Sequence, residues 1–251
     1  MMTALITGAS SGIGKAIART FVQHSHRVII LARRKNELQV LQESLGELCQ
    51  SIVCDVSDTT YIESALKSLP TAFQNIDVLV NNAGKALGLE SADKANVRDW
   101  EEMIEVNILA LIKLTRLLLP AMVAQGYGHI INIGSIAGSY PYPGGNVYGA
   151  SKAFVRQFSL NLRADLYDKN IRVTDIEPGL CGGSEFSLVR FKGDAQKAQN
   201  VYKNTKPLMP EDIAQSVLWV ASLPQHININ TLEIMPTIQA PAALNVYKDT
   251  K

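Results

Sequence analysis

The sequence predicts an α/β fold, a single-domain, Rossmann-like, doubly wound parallel sheet of seven strands with helices on both faces. Three observations carry this expectation. Short β-branched runs alternate with longer amphipathic segments along the whole chain. The runs are apolar throughout rather than at every second position, as strands buried on both faces require. The first run ends in a glycine-rich turn, "TGASSGIG", that opens a helix.

Taken in order, Met2–Thr7 is the first strand, closed by Gly8, and an alanine- and isoleucine-rich helix follows over 12–24. Val28–Ala32 runs into "RRKNEL" and a helix over 34–46, and Ser51–Cys54 leads through Asp55-Val56 to a helix over 58–69. Val78–Asn81 opens "NNAG", followed by a long helix over 98–125. Ile130–Ser135 precedes a helix over 150–168, and Val173–Glu177 ends at Pro-Gly. A last helix over 211–223 and the strand Thr231–Met235 complete the pattern. Right-handed crossovers between such parallel strands give the doubly wound sheet.

No linker, repeat or low-complexity tract divides residues 1–251, which read as one dinucleotide-binding and catalytic domain. The longest irregular region, about 178–209, carries Gly182, Gly183 and Gly193 and follows a strand end, where ligands bind in such sheets. It is read as a substrate lid. The tail 237–251 contains "APAALNVY", apolar enough to pack on something, another subunit being one candidate.

Lys and Arg number 24 against 23 Asp and Glu, a formal net charge of +1. With no basic stripe or acidic tail, neither nucleic acid nor an anionic membrane is an implied partner. Cys49, Cys54 and Cys181 have neither disulfide-framework nor metal-ligand spacing and read as free thiols in a reducing compartment. The four histidines do not cluster as ligands, so no metal is expected. The N-terminus lacks a signal-peptide pattern, and no apolar run approaches the ~18 residues of a membrane span. A cytoplasmic location is expected.

In the glycine turn, Gly8, Gly12 and Gly14 permit a tight bend and close approach of backbone to a pyrophosphate. Ser10, Ser11 and Ile13 lie at the helix N-terminus, whose free N–H groups and partial positive charge suit phosphate. A glycine trio is equally an ordinary tight turn; its place between first strand and first helix favours the dinucleotide. The ribose 2′-hydroxyl of NAD is bound by a carboxylate ~20 residues past such a turn. Here Arg33 and Arg34 stand at the second strand's end, and guanidinium groups there favour the 2′-phosphate of NADP over NAD. Asp55 and Val56 lie where an adenine ring would, although Asp55 or Ser57 could equally be a helix N-cap.

A tyrosine and a lysine, Tyr148 and Lys152, stand at (i, i+4), so both lie on one helix face. An ammonium beside a phenol stabilises phenolate and lowers the phenol's pKa towards the working range. Together with "TGASSGIG", "NNAG" at 81–84, Asn107 and Ser135, this pair resembles the short-chain dehydrogenase/reductase family, in the family's order over nearly the whole chain. The resemblance implies Tyr148 as general acid/base and Lys152 as its partner and a ligand of the nicotinamide ribose. It further implies Ser135 on the substrate oxygen and Asn107 holding a water that links Lys152 to solvent. Asn82, Ala83 and Gly84, with Pro178 and Gly179, would lie against the cofactor, while Asn81 braces the sheet. Many members read Pro-Gly-x3-Thr after the sixth strand; here "PGLCGGSE" is one residue longer and puts Ser184 in the threonine's place.

"GHIINIGS", "YPGGNVYGASKAFVRQFSLNLR", "RVTDIEPGL", "EFSLVRFKG" and "INTLEIMP" look similar to the bacterial NADP-dependent 3-hydroxy acid dehydrogenases. That resemblance implies a homotetramer acting on serine, L-allo-threonine, 3-hydroxypropionate and the corresponding carbonyls. Such a substrate needs its carboxylate neutralised near the reacting carbon, and Arg190 is the candidate clamp, with Lys192 as competitor. Tyr140, Tyr142 and Gly145 are candidate pocket walls. Two alternatives stay open: a reductase of a ketone, sugar or acyl thioester, and a non-catalytic NADP-binding sensor.

Overall fold

The computed structural model describes residues 1–240, so most of the apolar tail, 241–251, lies outside the described residues. Seven strands, β1 (Thr3–Thr7), β2 (Arg27–Ala32), β3 (Cys49–Val53), β4 (Val78–Asn81), β5 (Gly128–Ile133), β6 (Ile171–Pro178) and β7 (Thr231–Ile234), form one sheet. The spatial order is 3-2-1-4-5-6-7 and every pairing is parallel. The chain winds outward in opposite directions from β1 and β4. Their carboxyl ends therefore flank a crevice, the position where such sheets bind ligands.

The larger helices are α1 (Gly12–Gln23), α2 (Lys35–Leu45) and α3 (Thr59–Lys67), then the short α4 (Thr71–Gln74). They continue with α5 (Val97–Ile104), α6 (Leu111–Gln125), α7 (Asn146–Leu166), α8 (Phe186–Arg190), α9 (Ala195–Asn200) and α10 (Pro210–Ser222). The expected strands and long helices are present with ends shifted by a few residues. Three differences matter. α4, α8 and α9 are too short to show a helical period in sequence, and the last two lie inside the lid region. α7 begins at Asn146, so Tyr148 sits inside its first turn. The long middle helix is interrupted by a π-helical stretch, Glu105–Ala110, that contains Asn107.

Alternation along the strands builds one core on each face of the sheet. Ala4, Ile6, Val28 and Ile30 point to the side covered by α1, α2 and α10, where Phe21 and Val217 are buried. Leu5, Ile29, Leu31 and Leu79 point to the side of α3 and α6, against Ile62, Leu114 and Leu118. At roughly 1.5–3 kcal/mol per fully buried large aliphatic side chain, these two layers fix the sheet that carries the crevice. A smaller cluster of Ala86, Met103 and Tyr148, with Trp100, Tyr142 and Phe186 packed on it, sits at the carboxyl end.

One expectation is corrected. The helical span Val97–Gln125 is long and apolar enough, by length and composition, to cross a membrane. Its apolarity has a local use, because Met103, Ala110, Leu111, Leu114, Leu118 and Met122 are buried against the sheet and its neighbours.

Candidate active site

The glycine turn joins β1 to α1 at the crevice. Gly12 has φ +51°, and a Cβ there would lie 2.9 Å from the Ser184 Cβ, so the lid region touches the turn. Gly14 allows a closer approach still: a Cβ would fall 2.6 Å from both the Gly8 carbonyl oxygen and Asn82 Nδ2. Ser11 is the N-cap of α1, yet its side chain makes no capping bond. The first amides of a 12-residue helix thus receive no cap from that residue, and those of Gly12, Ile13 and Gly14 are donors suited to phosphate.

Asn82 holds the turn from the other side of the crevice. Its Nδ2 donates to the Thr7 carbonyl at 2.8 Å, and the amides of Asn82 and Ala83 donate to Thr7 Oγ1 at 3.0 and 2.9 Å. Asn81 points inward, where its Nδ2 donates to Thr115 Oγ1 and Asn132 Oδ1, and Asn132 Nδ2 donates to Ser159 Oγ. This buried chain braces β4 and β5 against α6 and α7, the structural role expected of Asn81.

Arg33 and Arg34 close the crevice beyond β2. The Arg33 side chain is 70% exposed, with Nη1 3.7 Å from Asp55 Oδ2. Arg34 Nε donates to Ser10 Oγ at 3.1 Å, and its Nη1 lies 2.9 Å from Glu185 Oε2 in the lid. Open amides, a turn with no room for a Cβ at Gly8, Gly12 or Gly14, and two guanidinium groups at one strand end form a donor set that fits a dinucleotide carrying an extra phosphate. Asp55 is not an N-cap: Oδ1 takes hydrogen bonds from the Ser57 amide and hydroxyl, while Asp58 caps α3. Val56 packs on the core beside it.

At the other end of the crevice the structure brings Ser135, Tyr148, Lys152 and Asn107 together, with changed details. Lys152 Nζ donates to the Ile133 carbonyl at 2.7 Å and lies 6.0 Å from the Tyr148 ring centroid. Burial pushes the Lys152 ammonium down to about 8, opposed by the charge of Asp175. Burial likewise pushes the Tyr148 phenol up to about 12; the Ser135 hydroxyl and the Arg190 guanidinium oppose that rise. Within the protein alone, burial outweighs the groups that lower the phenol, and Lys152, turned to the Ile133 carbonyl, is not one of them. Ser135 Oγ also accepts from the Ala137 amide at 3.1 Å, capping a short 3-10 turn.

The Asn107 side chain is bonded within the protein. Its Oδ1 accepts from the Lys85 amide, and Nδ2 donates to the Lys85 carbonyl and to Ser151 Oγ, at 2.9, 2.9 and 3.0 Å. The side chain is spent on pinning the loop after β4.

The lid brings a group over Tyr148. Arg190 Cζ lies 5.4 Å from the Tyr148 ring centroid, 5.5 Å from that of Tyr142 and 5.9 Å from that of Phe186. Its Nε donates to the Gly88 carbonyl at 3.2 Å and its Nη2 to the Tyr142 hydroxyl. Lys192 instead pairs with Asp99, Nζ to Oδ2 2.8 Å. Gly145 packs under the Tyr142 ring. Tyr140 does not join this wall, because its hydroxyl turns to Glu233 Oε1 at 3.3 Å. Pro178 ends β6, and the Gly179 amide continues the pairing with β7 by donating to the Ile234 carbonyl. Ser184 Oγ accepts from the Phe186 amide at 3.3 Å while its Cβ faces Gly12.

Glu185 and the buried pair Asp175 and Glu177 were not anticipated. A carboxylate inside a glycine-rich loop, or inside a strand, carries no spacing signal that says what it faces.

The family model for short chain dehydrogenases matches residues 2–189. An NADP-dependent 3-hydroxy acid dehydrogenase of Shigella flexneri is 57% identical over 247 residues, covering 98% of this chain and 100% of the relative. A serine 3-dehydrogenase of Agrobacterium fabrum is 48% identical over 248 residues, 99% of each chain. Among solved structures, the closed form of a serine dehydrogenase complexed with NADP+ superposes with a TM-score of 0.97 at 57% identity, over 99% of this chain and 100% of that one.

Proposed function

The chain belongs to the short-chain dehydrogenase/reductase family, and from that membership we propose that it is an NADP-dependent oxidoreductase of small 3-hydroxy acids. It interconverts the hydroxyl of serine, L-allo-threonine or 3-hydroxypropionate with the corresponding carbonyl. The observation that carries the substrate class is Arg190, a guanidinium stacked over Tyr148 and aimed by Gly88 and Tyr142. A carboxylate bound to it bidentately sets the β-carbon of a short acid beside the phenol. Lys192, engaged with Asp99, leaves that task to Arg190.

NADP, when bound, supplies the hydride acceptor or donor. Gly8, Ser10, Ser11, Gly12, Ile13 and Gly14 would hold its pyrophosphate, Arg33 and Arg34 the 2′-phosphate, and Asp55 and Val56 the adenine. Asn82, Ala83, Gly84, Pro178, Gly179 and Ser184 border the nicotinamide half, with Lys152 on its ribose. Tyr148 Oη gives a proton to the carbonyl oxygen in reduction and takes it from the hydroxyl in oxidation. Ser135 Oγ holds the same oxygen. Burial favours the protonated phenol, the form that donates. Ionisation in the oxidative direction draws on the positive charge of Arg190 and the hydrogen bond of Ser135. Asn107 keeps the loop carrying Gly84 in place.

The same reading places the protein in the cytoplasm as a homotetramer, without nucleic-acid or membrane partners. The free thiols of Cys49, Cys54 and Cys181 support the compartment. Apolar side chains on the outer faces of α6 and α7 support the assembly.

The deciding experiment compares the parent with Arg190→Met on serine and on a neutral β-alcohol, with NADP and with NAD. Loss of a charge-assisted pair costs about 1.5–3 kcal/mol, so kcat/KM for serine should fall roughly 10- to 100-fold further than that for the neutral alcohol, which loses only the guanidinium beside the phenol. Equal loss on both would remove the clamp.

A further inference from the structure

Asp175 and Glu177 stand two residues apart on β6, so their side chains leave one face of the sheet. They are 0% and 1% exposed, and none of their four carboxyl oxygens has a hydrogen-bond partner of ordinary geometry among the described residues. Carboxyls without donors in a dry interior either take up a proton or sit beside compensating charge. That charge comes from α7, which packs on β6. Lys152 and Arg156 lie one turn apart on the same face of this helix. Arg156 Nε is 3.5 Å from Glu177 Oε1. One turn earlier, Lys152 makes no direct hydrogen bond to Asp175, yet each charge favours the charged form of the other. The Asp175 carboxyl also fills the space beside Gly134, where any Cβ would collide with Oδ1. Gly134 joins Ile133, whose carbonyl receives the Lys152 ammonium, to Ser135.

We propose that Asp175 is a positioning residue of the site: its carboxyl is the built-in counter-charge of Lys152, keeping that side chain an ammonium and holding it against the Ile133 carbonyl beside Tyr148. Glu177 sets how much charge Asp175 can carry. Burial and the neighbouring Glu177 push Asp175 up to about 8, opposed by Lys152 and Arg156, so its charge develops over the same range in which Lys152 titrates. Burial also raises Glu177, opposed first by Arg156. The other groups facing the pair are Glu233 on β7, opposite Glu177 in register, and Ser139 and Tyr140 in the turn after β5. The inference rests on the role given to Lys152 above, but not on any substrate.

The test is a titration of the Lys152 ε-carbon by NMR in carbon-13 lysine-labelled, cofactor-free protein, with the resonance assigned by Lys152→Arg. Over about pH 6 to about pH 10, Asp175→Asn should move the midpoint down by roughly one unit, a tenfold change. Glu177→Gln should move it up, because Asp175 then ionises more readily. The alkaline limb of the kcat/KM profile should follow in both variants. An unchanged midpoint in folded Asp175→Asn, or a shift of the same sign in both variants, overturns the proposal. If Asp175→Asn does not fold, Glu177→Gln decides: a rise supports the proposal, and no change or a fall overturns it. Inactivity on every hydroxy acid with the midpoint shifts intact would sink the substrate reading and leave this one standing.

Discussion

Lys152 shows at single-residue scale how function is carried against stability. The side chain is 8% exposed and its ammonium is held down at about 8, below the ordinary lysine value of 10.5. A group whose folded value is depressed contributes its full stability above the unfolded value and loses it as the pH falls to the folded value. The charged lysine is therefore a cost at neutral pH. Lys152→Met should abolish most activity and yet, with Asp175 free to take up a proton, stabilise the fold at pH 7 by something on the order of 1–3 kcal/mol. The gain should disappear as the pH is raised from about 8 towards about 10.5, read by urea unfolding across that range. Tyr148, beside it, is 8% exposed and held high by the same burial. Tyr148→Phe should lower kcat by about 10²–10⁴-fold while NADPH fluorescence still reports normal cofactor binding.

At the scale of elements, the link between β1 and α1 shows how little room the binding turn leaves. Gly14 faces the Gly8 carbonyl, which is backbone and cannot rotate away. Gly14→Ala should therefore shift the turn and weaken NADPH binding at least roughly tenfold, with a loss of stability of about 1–3 kcal/mol. Fluorescence titration and thermal unfolding would read the two effects. Arg34 belongs to the same unit, because it joins the turn at Ser10 to the lid at Glu185. Arg34→Ser should cut the preference for NADP over NAD by roughly 10- to 100-fold, the worth of one charge-assisted contact. An unchanged preference in steady-state kinetics would leave the 2′-phosphate to Arg33. The interrupted helix from Val97 to Gln125 makes the opposite point: a π-helical stretch places Asn107 where its amide closes the Lys85 loop.

At the scale of the molecule, one face remains open. A trough of about 680 Å³ between α3, α6 and α7 is lined by Ile112, Leu117, Leu119, Phe158 and Leu162, with Lys113 and Arg116 beside them. Phe154 stacks on Phe158 at 5.7 Å along the same helix. Two copies meeting there across a two-fold axis would cover these groups. Phe158→Asp should dissociate the proposed tetramer into smaller species in sedimentation velocity. Retention of the parent mass would place the contact elsewhere.

Sequence alone determined the parallel sheet, its helices, the glycine turn and the Tyr148–Lys152 pair. Each is written in local spacing: apolar runs, a period, three glycines, an interval of four. Only the tertiary structure decided that the Lys152 ammonium turns to Ile133, that Asn107 spends its amide on Lys85, and that Arg190 rather than Lys192 covers the phenol. It also decided that Asp175 and Glu177 face α7 and that Glu185 meets Arg34. These contacts join residues from separate elements, some more than a hundred positions apart, as Arg190 and Gly88 are. Chain-local periodicity records which way a side chain leaves its own strand or helix. What it meets there is set by how the layers pack.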